Sequence, residues 1–352
     1  MKHRSPTRLR YGAFFRLTGC WVVACCLLLP ACGALAQTGG PSSDQTAVRL
    51  QIQLFGDVME IEVRDVDRNM ALEAIRLAML KMHSFSAQIA ADSPQRGSLG
   101  EINRRPGSFV PVTEEVFEFV LHSMRYCLWS GGMQGPLGGE IYRLWDERRQ
   151  GHEFSPFQLR DAVASADCST LGLEQNPRRV RIGEGTRLNG FGMERGYAID
   201  LALAELQRHG IRNAIIETEA LITGVGPGTS GRGWLVQVPG VEGTRHPIDQ
   251  LYLRDQSLAW VARTGTDGHL PINQQTGVPT IGVRLVAAVT TMARDAEVLA
   301  HSLYAMGHTL GQRHVGSLDP RPSVLWLLGT GGGLPLESPY RWSELDRVRE
   351  PR

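Results

Sequence analysis

Cysteine is scarce in this sequence, six in 352 residues, and no two are spaced C-x-x-C, which excludes zinc-ribbon and thioredoxin-type motifs. Cys20, Cys25, Cys26 and Cys32 lie near the N-terminus, so only Cys127 and Cys168 belong to the body of the chain, where they either pair or stay as two buried thiols. An excess of positive charge is missing too. Lys and Arg number 37 against 36 Asp and Glu, and without residues 1–31, which hold five of the basic ones, the balance is 32 to 36, a net of about −4. That balance excludes a basic nucleic-acid surface. The apolar run Trp21–Leu29 is far short of the ~20 residues that a spanning helix requires. Also absent is the dinucleotide fingerprint G-x-G-x-x-G: in Leu188–Asp200, LNGFGMERGYAID, the third glycine follows the second by four residues.

What is present begins with an export pattern over residues 1–36. Lys2, Arg4, Arg8, Arg10 and Arg16 form a basic lead into the short apolar run. Residues 29–32, Leu-Pro-Ala-Cys, read as a lipobox with Cys32 as the lipidated residue, while Ala34-Leu35-Ala36 reads as an ordinary signal-peptidase site. Either one sends the protein to the periplasmic side of a bacterial membrane, lipid-anchored through Cys32 in the first case and soluble in the second. Residues 37–47, rich in Gly, Ser and Pro, read as a flexible tether. Residues 48–340 then form the folded domain and 341–352 a C-terminal tail.

Within the domain, Val48–Leu54 and Met59–Val63 alternate apolar and polar residues around Gly56-Asp57, the pattern of a hairpin. Ile75, Ala78, Met82, Phe85 and Ile89 recur at helical spacing across 68–90, and residues 92–112 carry enough Pro and Gly to read as loop. Thr113 caps a helix whose inner face is Val116, Phe119, Val120 and Cys127, and the glycine-rich stretch 130–139 follows. A helix over 158–166 and short strands at 179–182 and 186–188 lead into LNGFGMERGYAID. There Gly190, Gly192 and Gly196 let the backbone approach a ligand, and the helix beyond offers free N–H groups to an anion. That helix stops at Gly210. Strands are expected at 214–216, 234–238, 256–262 and 283–289, a last helix at 293–306 with Ala296, Leu299, Ala300 and Leu303 inward, and a closing hairpin around Gly331-Gly332-Gly333.

Five segments in this order resemble those of the ApbE family. Ser98–Gly107, SLGEINRRPG, is similar to the family's S-E-I-S-R-I-N segment, and Trp129–Trp145, WSGGMQGPLGGEIYRLW, to its S-G-G-A-F-D-P-T-V-G-P-L…L-W. Gly196–Asp200 matches G-Y-A-V-D, Gln275–Pro279 resembles R-T-G-R-P, and Ala296–Gly307 falls on A-D-A-L-A-T-A-L-F-V-L-G without a gap. The resemblance implies an α+β fold of T-fold-like lobes, antiparallel-rich sheets packed with helices. It further implies a Mg2+-dependent FAD:protein FMN transferase that joins FMN to a threonine of an extracytoplasmic flavoprotein. On that footing Met133, Gln134, Gly135, Asn189, Arg195, Gly196 and Tyr197 stand where flavin nucleotide is bound, and Gly192, Glu297 and His301 where the metal is held. No residue is singled out as catalytic.

The same comparison implies a rewritten site. Gly135 stands for the loop aspartate, Asn189 for a carboxylate, and Arg195 for Lys or Glu. Glu217–Leu221 replaces N-L-G-G-D, Ala259–Ala262 replaces A-T-S-G with Trp260 at a small-residue position, and His269–Gln274 replaces S-H-I-I-D-P. Glu297 and His301, four apart, replace Asp and Thr: they can grip a cation from one helix face or lie on a solvated face, with Asp295 in play if the register slips by two. Arg195 is open to two readings, a phosphate ligand that takes over metal charge or a surface residue. The expectation is a catalytically degenerate, flavin-binding or partner-binding protein; the alternative is an active transferase of divergent chemistry.

Overall fold

A computed structural model describes residues 47–190, 192–241, 246–263, 271–329 and 336–348. The export segment with Cys32, the tether up to residue 46, Phe191, His269 and Gly331–Gly333 lie outside the described residues. The hairpin is β1 (Val48–Leu54) and β2 (Asp57–Val63), turned by Phe55 and Gly56, both at positive φ. Asp67 then caps α1 (Arg68–Ile89), whose buried stripe is the one its periodicity gives. Residues 92–112 are more ordered than their composition suggests: Ser98 caps α2 (Leu99–Arg104), and Val110–Pro111 form β3. Thr113 caps α3 (Glu114–Trp129).

The glycine-rich loop ends directly in α4 (Gly139–Arg149), which sequence periodicity did not single out because only Gly139, Ile141 and Leu144 of it are buried. A capping box opens α5 (Pro156–Ser165), followed by β4 (Gly172–Gln175) and β5 (Arg178–Arg181). The strand expected at 186–188 is a single bridge, Arg187 to Gly138. After α6 (Glu194–Arg208) come β6 (Ala214–Glu217), β7 (Leu221–Val225), β8 (Trp234–Val238), β9 (Asp249–Leu253) and β10 (Gln256–Ala262). Short β11 (Ile272–Asn273) and β12 (Val278–Pro279) precede β13 (Val283–Thr290), α7 (Ala293–Val315), β14 (Ser323–Leu328) and β15 (Leu336–Tyr340). Helix α7 runs past the expected end at Met306, with a break at Gly307 (φ 72°, ψ 172°).

Eight strands form one antiparallel sheet in the order β1-β2-β6-β7-β10-β13-β14-β15. Its central strands are apolar throughout because both faces are covered, and the two-residue period divides each strand between two cores. Val286, Ala288, Val324 and Trp326 face α1, α3, α6 and α7, whereas Leu285, Ala287, Leu325 and Leu327 face Trp234, Leu251 and Trp342. The segment read as a tail thus closes the second core. Trp342 is buried, its indole N–H donates to Asp249 Oδ2 at 2.9 Å, and Val348 N donates to Gln250 O. Residues 45–352 form one compact unit.

Candidate functional site

The site is assembled where the starts of α6 and α7 meet the glycine-rich loop. Asp200 makes the first junction. From the second turn of α6 it accepts the N–H groups of Ala293 (2.9 Å) and Arg294 (3.2 Å), the open donors at the start of α7, whose own N-cap, Met292, has no side-chain acceptor. Burial pushes its carboxyl up to about 6. Gly196 makes the second: a Cβ there would lie 2.5 Å from Ala293 O, so α6 and α7 touch backbone to backbone. The G-Y-A-I-D motif is in these respects a helix-packing device. Tyr197 belongs to it as well, stacked on Phe85 (5.0 Å between ring centres) and edge-on to Phe119 (5.6 Å); its expected place against a nucleotide gives way to the aromatic core.

Beside this junction, charges close on one another. Arg195 Nε donates to Glu297 Oε1 at 2.9 Å and Gly196 N donates to Glu297 Oε2 at 2.7 Å, so both oxygens of Glu297 are engaged. Arg195 also reaches Asp57 Oδ2 at 3.6 Å, in the β1–β2 turn. Burial disfavours the Arg195 charge, but Glu297 and Glu194 more than offset it and hold the guanidinium ionised. His301 is buried, its Nδ1 is 2.9 Å from Glu297 O, and burial lowers its proton affinity. Gly192, at φ +87°, lies on that ring: a Cβ would come within 2.9 Å of His301 Cγ. The face carrying Glu297 and His301 is therefore neither solvated nor open to a cation, and Arg195 is no surface residue. Asp295 points into a different cleft, against His122 and Tyr126, which removes the slipped register.

The donor set does not fit a divalent cation. A hard metal asks for several oxygen ligands in one place, and here the one carboxylate at that place already compensates the Arg195 guanidinium, whose positive charge at 2.9 Å would repel a second cation. Among the described residues, no group of three or more His, Cys, Asp and Glu is placed to hold a metal. Half-buried Glu194 adds a third carboxyl near the Arg195–Glu297 pair. Its burial and the charge on Glu297 raise it to about 7.

The loop from Ser130 to Gly138 forms the opposite wall. Cys127 and Cys168 are joined as a disulfide directly beneath it, and a Cβ on Gly135 would lie 2.3 Å from Cys127 Sγ and 2.9 Å from Cys168 Sγ. No side chain, aspartate included, fits at Gly135. The loop is tied down by Gln274, whose N–H donates to Met133 O and whose Nε2 donates to Gly135 O, both at 2.9 Å, while Asn189 N donates to Pro136 O at 3.0 Å. Gln134 is buried, with Tyr142 Oη 3.4 Å from its Oε1. Asn189 Oδ1 and Gln274 Oε1 are buried without a hydrogen-bond partner. The cavity between Gln134, Gly135, Asn189 and Met193 measures about 10 Å³, room for no more than a water molecule.

Of the residues expected from sequence, the structure thus brings Gln134, Gly135 and Asn189 to one small cavity and Gly192, Arg195, Glu297 and His301 to one charge cluster. Trp260 is not part of either: it packs toward the second core, on the opposite face of the sheet from Ala259 and Val261. Asp57 was not anticipated, since it reaches the site only through long-range packing, whereas Tyr142, Glu194 and Gln274 lie in segments the resemblance marks without being singled out there. An eight-stranded antiparallel sheet with this helix arrangement recurs in solved structures. The ApbE protein of Thermotoga maritima has a TM-score of 0.76 at 19% identity over 86% of this chain and 100% of that one. The flavin transferase ApbE of Vibrio cholerae has 0.71 at 20%, over 84% and 97%. The flavinyl transferase ApbE of Pseudomonas stutzeri, in its apo form, has 0.73 at 16%, over 87% and 98%. A comparison with curated proteins finds no significant match. The sequence pattern of the ApbE family matches residues 55–325. With the family pattern over residues 55–325 and the fold shared over most of its length, the chain belongs to the ApbE family.

Proposed function

We propose that this protein is an exported member of the ApbE family that keeps the flavin transferase scaffold but has lost metal-dependent transfer of FMN from FAD to a threonine of a target flavoprotein. Its remaining role is to hold a flavin nucleotide or a flavoprotein partner without transfer. The observation that carries this reading is the Arg195–Glu297 pair, which fills with a tethered cation the position where family resemblance expects a metal ligand. Phosphoryl-group chemistry needs a cation that bridges phosphate oxygens, and a guanidinium already bonded to a carboxylate is a poor substitute. Gly135 seated on the disulfide and the amide at Asn189 support the same reading. Export rests on the basic and apolar pattern of residues 1–36, and lipid anchorage at Cys32 on the lipobox. No helix among the described residues is long and apolar enough to cross a membrane.

One feature favours a second reading, an active transferase of altered chemistry. Glu194, raised to about 7 beside Arg195, is poised as a general base for a hydroxyl nucleophile. The two readings separate in one experiment. Mature protein is mixed with FAD, Mg2+ or Mn2+ and a flavinylation-domain protein, and covalent flavin is read by in-gel fluorescence alongside AMP release. The expected result is no covalent flavin and no AMP. Covalent flavin that disappears in Glu194→Gln would establish the second reading, and transfer lost in Glu297→Ala would restore a metal role to that residue.

A further inference from the structure

On the far side of α7 from the charge cluster lies a cleft of about 330 Å³, within the range of small-molecule sites. Its inner wall is the first turn of α7 and Tyr126 of α3, its outer wall the connection from Leu318 to Ser323, and Arg341 and Glu344 stand at its mouth. None of the segments that carry the family resemblance converges on it except through the first turns of α7.

Asp295 is the charged group of the inner wall. Tyr126 Oη donates to its Oδ1 at 3.1 Å and His122 Nε2 lies 2.9 Å from the same oxygen. Oδ2 meets no donor among the described residues. Burial works against the charge, but the bonds from His122 and Tyr126 outweigh it and the carboxyl stays below its ordinary range, hence ionised. Across the cleft, Arg321 makes no hydrogen bond or ion pair among the described residues, whereas Arg341 is engaged by Glu344. Between these opposite charges the lining is mixed: Val289, Leu299, Leu318, Pro322 and Leu345 are apolar, and Gln256, Thr290, Thr291 and Ser323 are polar.

A held carboxylate with one oxygen to spare, an unpaired guanidinium and a partly apolar lining between them select a ligand with the opposite pattern of charge. We propose that this cleft binds a small zwitterion of amino-acid to dipeptide size, its ammonium on Asp295 Oδ2, its carboxylate on Arg321 and an apolar side chain against Leu299 and Leu318. Arg matches a carboxylate with two parallel N–H bonds, and an ammonium placed against a carboxylate forms a charge-assisted bond. The near balance of charge around the cleft, with Asp319 on the same wall as Arg321, argues against a polyanion such as a nucleotide. The cleft shares no lining residue with the Arg195–Glu297 cluster.

Calorimetric titration of the intact mature protein with glycyl-leucine tests the assignment, with N-acetyl-glycyl-leucine, glycyl-leucinamide and inorganic phosphate as companions. The expected result is saturable binding of glycyl-leucine, weakened about tenfold or more on removal of either ligand charge, since one charge-assisted bond is worth that factor. Asp295→Asn reproduces the loss seen with the acetylated peptide and Arg321→Ala the loss seen with the amide. Because the ligand-side deletions need no variant protein, a misfolded Asp295→Asn leaves the test intact. No saturable binding of glycyl-leucine, equal binding of the blocked peptides, or phosphate binding lost in Arg321→Ala would each overturn the proposal.

Discussion

Removing Arg195 is the sharpest test of the closed charge cluster. In Arg195→Met the stem volume is kept, but Glu297, 2% exposed, loses its cation and retains only the Gly196 N–H. A buried carboxylate stripped of its partner costs about 3–5 kcal/mol. Glu297→Gln is milder, because Arg195 keeps Asp57 at 3.6 Å and its side chain is 19% exposed, so about 1–3 kcal/mol is expected. Combining Arg195→Met with Glu297→Leu removes both charges. The Gly196 N–H is then the one orphan, costing about 1–3 kcal/mol, and the double variant should be more stable than Arg195→Met alone. Urea unfolding of the native protein, Arg195→Met, Glu297→Leu and the double variant closes a cycle and gives the coupling, expected at about 2 kcal/mol or more. The measurement is repeated with Mg2+. A coupling below about 0.5 kcal/mol, or Mg2+ stabilising the native protein but not Glu297→Gln, would show that Arg195 does not stand in for a metal.

Two further outcomes follow from the same geometry. The Cys127–Cys168 bond closes a 41-residue interval, so Cys127→Ser with Cys168→Ser should lower stability by about 4 kcal/mol on the chain-entropy account; a loss under 1 kcal/mol in chemical unfolding would contradict it. Glu194 binds its proton up to about pH 7 in the folded state against an ordinary 4.5, so the native state holds more protons than the unfolded one between these values. The stability it contributes is full below about 4.5 and lost as pH rises through 7, on the order of 2 kcal/mol after allowance for screening at a half-buried site. The difference in stability between native protein and Glu194→Gln, followed by urea unfolding from pH 4.5 to 8, should change in that window, and a flat difference would place Glu194 in water.

The hairpin, α1, the cap at Thr113 and the start of α6 were legible because each is set by local chemistry, period or cap. Order in 92–112 was not: Ser98 caps α2 within a stretch whose Pro and Gly content masks it, and Val110 becomes a strand only through Val180. The end of α7 escaped for a different reason: Gly307 breaks the helix, yet the chain turns and continues as helix against the same core. Among site residues, family resemblance pointed to Glu297, His301 and Arg195, which the structure gathers into one cluster, and to Gly135, which it seats on the disulfide. It could not say that the exchanged groups satisfy one another, because that depends on a guanidinium on α6 meeting a carboxylate a hundred residues later. Trp260 shows the opposite failure. Its position in the sequence matched a site segment, but the alternation of β10 turns its ring to the other core.

The contact between Gly135 and the disulfide bears on the direction in which such a site can change. Reintroducing a carboxylate at Gly135 drives a side chain into two bonded sulfurs, so it fails while the cross-link stands, and releasing the cross-link first forfeits the stability that it confers. Each single step backward is therefore a descent. The cross-link beneath this loop thus ties position 135 to glycine, and a larger residue there requires the disulfide to be given up in the same step.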